Sequence, residues 1–135
     1  MYVVLDTNVI VSAFISRDGP PARLARGVTD GAITPVFDAR MLGEYAEVVQ
    51  RPKLAARIDV PAALAWLLML RHVGLALEQV DAYPDPLPDE GDRPFLEVAL
   101  ASGATLVTGN ARDYPTTAGF DVLTPAEAVQ QLFQE

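Results

Sequence analysis

Short apolar runs alternate with amphipathic stretches along the whole chain. Residues 2–5 are all apolar and are followed by a polar triplet, which predicts a first strand buried on both faces. Further strands are predicted at residues 34–37, 75–80, 104–107 and 121–123. Strands without a polar face are typical of a parallel sheet that helices cover on both sides. The pattern therefore predicts an α/β fold.

Helical spacing of apolar residues separates these strands. Helices are predicted from Pro20 to Gly31, from the candidate N-cap Asp38 to Pro52, over residues 62–73, from Pro94 to Gly103 and over residues 125–134. The helix at 62–73 is apolar nearly all round, so it is either deeply buried or partly covered by another subunit. Residues 81–92 hold three prolines and five acids and are predicted to form a loop.

Composition narrows the possible chemistry. The 135 residues predict one domain, residues 1–135, and the single His and the absence of Cys exclude disulfides, thiolate metal sites and a cysteine nucleophile. The chain begins without the basic and long apolar segments of a secretory signal, and its longest apolar run, nine residues, is too short to span a bilayer. We therefore expect a cytoplasmic protein without a membrane segment.

Charge is distributed unevenly. The formal net charge is −8, from 10 basic and 18 acidic residues, and residues 81–135 alone hold 10 acids against 2 basic side chains. Overall acidity argues against simple electrostatic binding of nucleic acid. The acids of the second part need a counter-ion or a function.

Polar residues follow two of the predicted strands. Asp6 begins the polar triplet after the first, and Thr108, Gly109 and Asn110, with Asp113 three residues on, follow the strand at 104–107. Functional groups of open parallel sheets collect beyond the carboxyl ends of the strands. Capping by Asp6 and a simple turn at 108–113 are the structural alternatives.

Two more acids occupy comparable positions. Glu44 lies at the border of an apolar helical stripe, where it either reaches a cleft or is an ordinary solvated Glu. Asp92 precedes a predicted helix, where it would also serve as a cap. Converging carboxylates bind a cation or share protons, and hard oxygen ligands suit Mg²⁺ or Mn²⁺. The set as a whole indicates phosphoryl or phosphodiester chemistry.

Four segments together resemble the PIN domain family, and most closely its toxin components similar to VapC. They are the opening residues 4–9, the helix from Glu44 into residues 51–54, residues 92–97, and residues 107–114. The resemblance covers nearly the whole chain. It implies a PIN-like three-layer α/β/α fold with a central parallel sheet of four to five strands, and a Mg²⁺-dependent ribonuclease acting on single-stranded RNA.

The resemblance also implies roles for individual residues. The acidic quartet would be Asp6, Glu44, Asp92 and Asp113, supported by Asn8, Thr108 and Asn110. Asp6 and Asp92 would hold the metal, Glu44 would ligate it directly or through water, and Asp113 would position a ligand water or second ion. The expected products are a 5′-phosphate and a 3′-hydroxyl.

Two departures from the family pattern leave alternatives open. Many PIN domains have Asp where Asn110 stands, which makes a one-metal site plausible. Asp85, Asp89 or Glu90 could take the role of the third acid, but Asp92 adjoins the matching segment and is preferred.

The sequence also indicates possible binding partners of the protein. Residues 17–57 hold seven basic residues against five acids, and Arg51 and Lys53 are the preferred RNA contacts. Trp66, Leu67 and Leu70 are expected either in the core or in a homodimer face. The family implies a cognate antitoxin protein as a possible partner.

Three other classes of protein share some of these sequence features. A haloacid-dehalogenase-like phosphatase requires a second acid at Asn8, and a receiver-like signalling module requires a lysine within residues 81–135, where there is none. A PIN domain that binds RNA or antitoxin without cleavage is the remaining alternative.

Overall fold

A five-stranded sheet forms the centre of the molecule. The computed structural model describes residues 1–115 and 119–133. The strands are β1 (Tyr2–Leu5), β2 (Thr34–Phe37), β3 (Leu75–Ala76), β4 (Thr105–Val107) and β5 (Val122–Leu123). They are parallel and lie in the order β3-β2-β1-β4-β5. The predicted parallel sheet is confirmed.

Helices flank this sheet as predicted for a three-layer α/β/α fold. They are α1 (Thr7–Ile15), α2 (Pro20–Thr29), α3 (Ala39–Val49), α4 (Pro52–Ala55), α5 (Val60–Val73), α6 (Arg93–Ser102) and α7 (Pro125–Leu132). Helix α6 packs across β1, β2 and β4, whereas α5 packs against β2. The predicted end of the last helix, residue 134, lies outside the described residues.

The core lies between the sheet and these helices. Val3, Val4, Leu106 and Val107 are fully buried. This agrees with strands that have no polar face. The α3 N-terminus is capped as predicted, because the Asp38 carboxylate accepts a hydrogen bond from the Met41 amide at 3.1 Å.

The strand predicted over residues 75–80 is shorter in the structure, so its predicted length is wrong. Strand β3 ends at Ala76, and one further hydrogen bond joins the Leu77 amide to the Phe37 carbonyl at 2.8 Å. Because β3 is an edge strand, β2 is its only partner in the sheet. Strand β2 ends at Phe37, where Asp38 starts α3, so the later apolar residues have no strand to pair with.

Helix α5 is buried on one side only. Ala63, Leu67 and Leu70 face the core, while Leu68 is 67% exposed and Val73 is 47% exposed. Deep burial of the whole helix is therefore wrong. The other alternative, that a second subunit covers its outer face, stays a prediction.

Gly74 allows α5 to end directly against the sheet. A Cβ atom at this position would lie 2.5 Å from Phe37 Cε1 and 2.7 Å from the Pro35 carbonyl oxygen. Only glycine permits such a close approach.

No helix within residues 1–115 and 119–133 is long and apolar enough to cross a membrane.

Candidate active site

The first strand and the fourth strand place their following residues side by side. Leu5 pairs with Val107, and the Asp6 amide donates to the Val107 carbonyl at 2.9 Å. From β1 the chain proceeds to β2 on one side, whereas β4 lies on the other side. This is the topological switch point of the sheet, where open parallel α/β domains bind their ligands.

Asp6 is buried at this point with only 5% of its surface exposed. It takes the N-cap position of α1, where the Thr7 and Asn8 amides act on its carboxylate, but it makes no capping hydrogen bond of ordinary geometry. Instead, Asp6 Oδ2 accepts hydrogen bonds from Thr108 Oγ1 at 2.8 Å and from the Tyr114 hydroxyl at 3.0 Å. The carboxylate is thus held by the β4 side of the site, which the capping interpretation does not explain.

Asp92 lies in the electrostatic field of Asp6. Its pKa is raised from 3.8 to about 6, first by burial and then by the charges of Asp6, Asp89 and Asp113. The pKa of Asp6 is also raised, mainly by burial, although the hydroxyls of Thr108 and Tyr114 oppose the rise. Two of the other three predicted acids, Asp6 and Asp113, therefore act on Asp92. We call Asp6 and Asp92 the acidic pair.

The Tyr114 hydroxyl links the two carboxylates of the acidic pair. No role was predicted for this residue from the sequence. Its hydroxyl donates to Asp6 and lies within hydrogen-bonding reach of Asp92. Burial raises the pKa of the Tyr114 phenol, and the two acids raise it further, so the group stays a neutral donor. The only signal in the sequence was an aromatic residue directly after Asp113.

Glu44 reaches the site from α3. The Thr7 hydroxyl donates a hydrogen bond to Glu44 Oε2, which ties this acid to the residue that follows Asp6. A cleft of about 400 Å³ lies beside them and is also lined by Asn8, Ser12 and Arg51. The border position on the helical stripe correctly indicated a side chain at a cleft.

The three predicted supporting residues lie in the loops after β1 and β4, and two of them, Asn8 and Thr108, connect the loops. Asn8 Oδ1 accepts from the Gly109 amide at 3.1 Å, and Thr108 Oγ1 accepts from the Asn110 amide at 3.0 Å. Thr108 is fully buried. The contacts of Asn8 with Gly109 and of Thr108 with Asp6 join the two polar loops at the switch point, whereas the Asn110 contact lies within the loop after β4.

A buried glutamate anchors the loop that leads to Asp92. Glu97 on α6 is 4% exposed, and its carboxylate accepts from Arg40 and from the Tyr83 amide, both at 2.7 Å. Arg93 donates to the carbonyls of Tyr83 at 2.6 Å and Asp85 at 2.9 Å. Glu97 belongs to one of the segments that resemble the PIN domain family, but no function was predicted for it from the sequence.

The site offers oxygen ligands for a divalent cation but no cluster of three acids. Over residues 1–115 and 119–133, no group of three or more His, Cys, Asp or Glu side chains could hold a metal ion. Magnesium usually keeps several waters and binds through one or two carboxylates. The acidic pair fits that pattern, because its mutual repulsion would be relieved by a cation.

The predicted RNA contacts differ in their surroundings. Arg51 forms an ion pair with Glu47 at 2.9 Å, one helical turn away, and lies beside the Glu44 cleft. Lys53 is exposed on α4. RNA binding by these two residues stays a prediction.

These features define a parallel α/β domain with acidic residues at its switch point. A family model for the PIN domain matches residues 2–112, and the chain therefore belongs to the PIN domain family. The resemblance noted from the sequence is confirmed.

Two other proteins are similar to this chain. The uncharacterised protein MJ1680 from Methanocaldococcus jannaschii is 26% identical over 108 residues, which cover 80% of this chain and 70% of that protein. A chain in the crystal structure of VapBC2 from Rickettsia felis, bound to a DNA fragment from their promoter, aligns with a TM-score of 0.55 and 16% identity. That alignment covers 92% of this chain and 98% of the other, and it shows that the fold is shared.

Proposed function

We propose that this protein is a divalent-metal-dependent endoribonuclease whose active site is centred on the acidic pair. The observation that carries the proposal is the buried Asp6 at the switch point of the sheet, whose carboxylate is held by Thr108 and Tyr114 and acts on the partly buried Asp92. Holding two carboxylates together without a counter-ion costs free energy, and functional sites are where such arrangements concentrate. Membership of the PIN domain family supports the assignment.

In the proposed site Asp6 and Asp92 hold Mg²⁺, or Mn²⁺ in its place. Glu44 contributes directly or through a water, and Asp113 orients a water near Asp92. When bound, the cation supplies Lewis acidity toward a water and a phosphate oxygen. The expected products are a 5′-phosphate and a 3′-hydroxyl.

Tyr114 and Thr108 orient Asp6 in this proposal. Both hydroxyls donate to Asp6 Oδ2 and so fix the orientation of the carboxylate that would hold the cation. Asn8 holds the loop after β1 against the loop after β4, and Asn110 contributes a contact within the latter loop. These residues act on the site through positions of other groups and do not touch the substrate.

We further propose that residues 1–135 act as one nuclease domain of a cytoplasmic toxin–antitoxin pair. The shared fold with the VapBC2 chain supports an antitoxin partner, and the exposed apolar side of α5 supports a homodimer. Mixing with a candidate antitoxin and measuring mass in solution tests both points.

Cleavage of RNA is the direct test. Purified protein is incubated with single-stranded and structured RNAs in Mg²⁺ or Mn²⁺, with and without EDTA. We expect cleavage that EDTA and the double variant Asp6→Asn, Asp92→Asn both abolish. The variant Asp30→Asn, Asp81→Asn removes the same charge from two exposed residues and serves as the matched control.

A PIN domain that binds RNA without cutting it is the second candidate. The absence of a three-acid metal group from the described part of the chain favours it. Folded wild-type protein that binds RNA but cleaves none of the substrates with either metal would establish this candidate and refute the nuclease.

A further inference from the structure

Three arginines from different segments line one cleft away from the acidic pair. Arg17 lies between α1 and α2, Arg26 lies on α2, and Arg57 lies between α4 and α5. All three are exposed, and the cleft has a volume of about 500 Å³. We call it the arginine cleft.

The arginines of the cleft differ from three other arginines of the chain, which are paired with carboxylates. Arg40, Arg51 and Arg93 each form ion pairs with carboxylates at 2.7 to 2.9 Å. In the part of the chain that the structure describes, none of the three cleft arginines forms an ion pair. The only acid lining the cleft is Asp59, whose carboxylate accepts from the Ala62 amide as the cap of α5.

Two hydrogen bonds and an aromatic pair organise the cleft. Arg26 Nη1 donates to the Arg17 carbonyl at 3.0 Å. Phe14 and Trp66 pack edge to face with ring centroids 5.7 Å apart, and Trp66 Nε1 donates to the Ala25 carbonyl at 3.3 Å. Both rings are partly exposed, and both line the cleft. Cations beside apolar and aromatic surface are the usual composition of sites for single-stranded nucleic acid.

Helix α1 connects this cleft with the candidate active site. Asn8 and Ser12 line the cleft beside Glu44, and Ile15 lines the arginine cleft. Seven residues separate Asn8 from Ile15, which corresponds to about 10 Å of helix. Stacked nucleotides rise about 3.4 Å each, so about three nucleotides would cover that distance.

We propose that the arginine cleft binds phosphates of single-stranded RNA about three nucleotides from the bond that is cut. The position relative to the cut bond rests on the proposed nuclease function, whereas the binding itself does not. Single-stranded RNA is favoured over an acidic peptide because the cleft combines cations with aromatic rings beside a candidate phosphodiesterase site.

Salt dependence of binding provides the test. Anisotropy of a short fluorescein-labelled oligouridylate is measured in EDTA over a range of salt with the full chain. We expect Arg17→Gln, Arg57→Gln to weaken binding and to reduce the slope of log K against log salt by about 1.4, at about 0.7 per lost phosphate contact. Arg23→Gln, Arg71→Gln removes the same charge outside the cleft and is expected to leave the slope unchanged.

Each outcome separates the cleft from the nuclease. An unchanged slope in the cleft variant, or an equal loss in the control, overturns the proposal even when the wild type cleaves RNA. A loss specific to the cleft variant supports RNA binding there even when no RNA is cleaved. If the cleft variant instead loses affinity only for a polyglutamate peptide, the cleft binds an acidic protein segment and the RNA assignment is wrong.

Discussion

Replacing Asp92 by Asn is expected to stabilise the metal-free protein at neutral pH. The pKa of Asp92 rises from 3.8 to about 6, a shift of roughly two units at 1.36 kcal/mol each. The full conversion gives about 3 kcal/mol, and because Asp92 is partly exposed, solvent screening reduces the expected gain to about 1 to 2 kcal/mol. Asn keeps the shape of the side chain and removes the charge that Asp6 repels.

The dependence on pH follows from the sign of the shift. Asp92 binds its proton more tightly in the folded protein than in the unfolded chain, so protonation favours folding. This contribution is fully present below pH 3.8 and is lost as the pH rises through about 6. The advantage of Asp92→Asn over the wild type is therefore small near pH 4 and complete above pH 7.

Urea denaturation in EDTA at these two pH values measures the effect. Asp81→Asn changes an exposed acid of the same loop and is expected to have little effect at either pH. If Asp92→Asn destabilises the protein at neutral pH, or its gain is the same near pH 4, the inferred cost of a charged Asp92, from burial and from Asp6, is refuted. Mg²⁺ is expected to stabilise the wild type more than the variant, since a cation binds the folded acidic pair.

Three further substitutions test other parts of the structure. Gly74→Ala is expected to lower the free energy of unfolding in urea by about 1 to 3 kcal/mol through overpacking, whereas Gly43→Ala, which meets nothing within 4 Å, is expected to have no such cost. Tyr114→Phe is expected to slow RNA cleavage by about tenfold or more while the urea midpoint changes little, because the acidic pair loses its shared donor; an unchanged rate would contradict this role. Glu97→Gln is expected to lower the free energy of unfolding in urea by about 2 to 4 kcal/mol, because it weakens a buried ion pair. The exposed Glu47→Gln is expected to lower it by less than about 1 kcal/mol, and equal losses would refute the anchoring role of Glu97.

Local patterns were sufficient for the sheet because its strands have no polar face. Strand β1 was predicted with its observed bounds, and the predicted cap at Asp38 is present. Strand β3 was predicted too long because apolar alternation does not reveal where a neighbouring strand ends. The number of residues that pair in an edge strand depends on the length of the neighbouring strand, which is a property of tertiary structure.

The site could be predicted only as far as strand ends reveal it. Asp6 and Thr108 follow paired strands, so topology alone brings them together. Tyr114 and Glu97 act through contacts across 108 residues and 57 residues of sequence, respectively, and no local spacing encodes such contacts. Their types also misled, since a Tyr after a turn and a Glu on a helix are usually surface residues.

The separation of charges also explains how so acidic a protein could bind RNA. A net charge of −8 repels the phosphate backbone at long range, and the acidic pair adds to this repulsion beside the proposed metal site. At physiological salt the screening length is about 8 Å, which is shorter than the roughly 10 Å of α1 between the two clefts. Arginines without carboxylate partners can therefore attract a phosphate at one end of α1 while the acids at the other end remain available for a cation. A chain that neutralised its acids with nearby arginines would lose both properties.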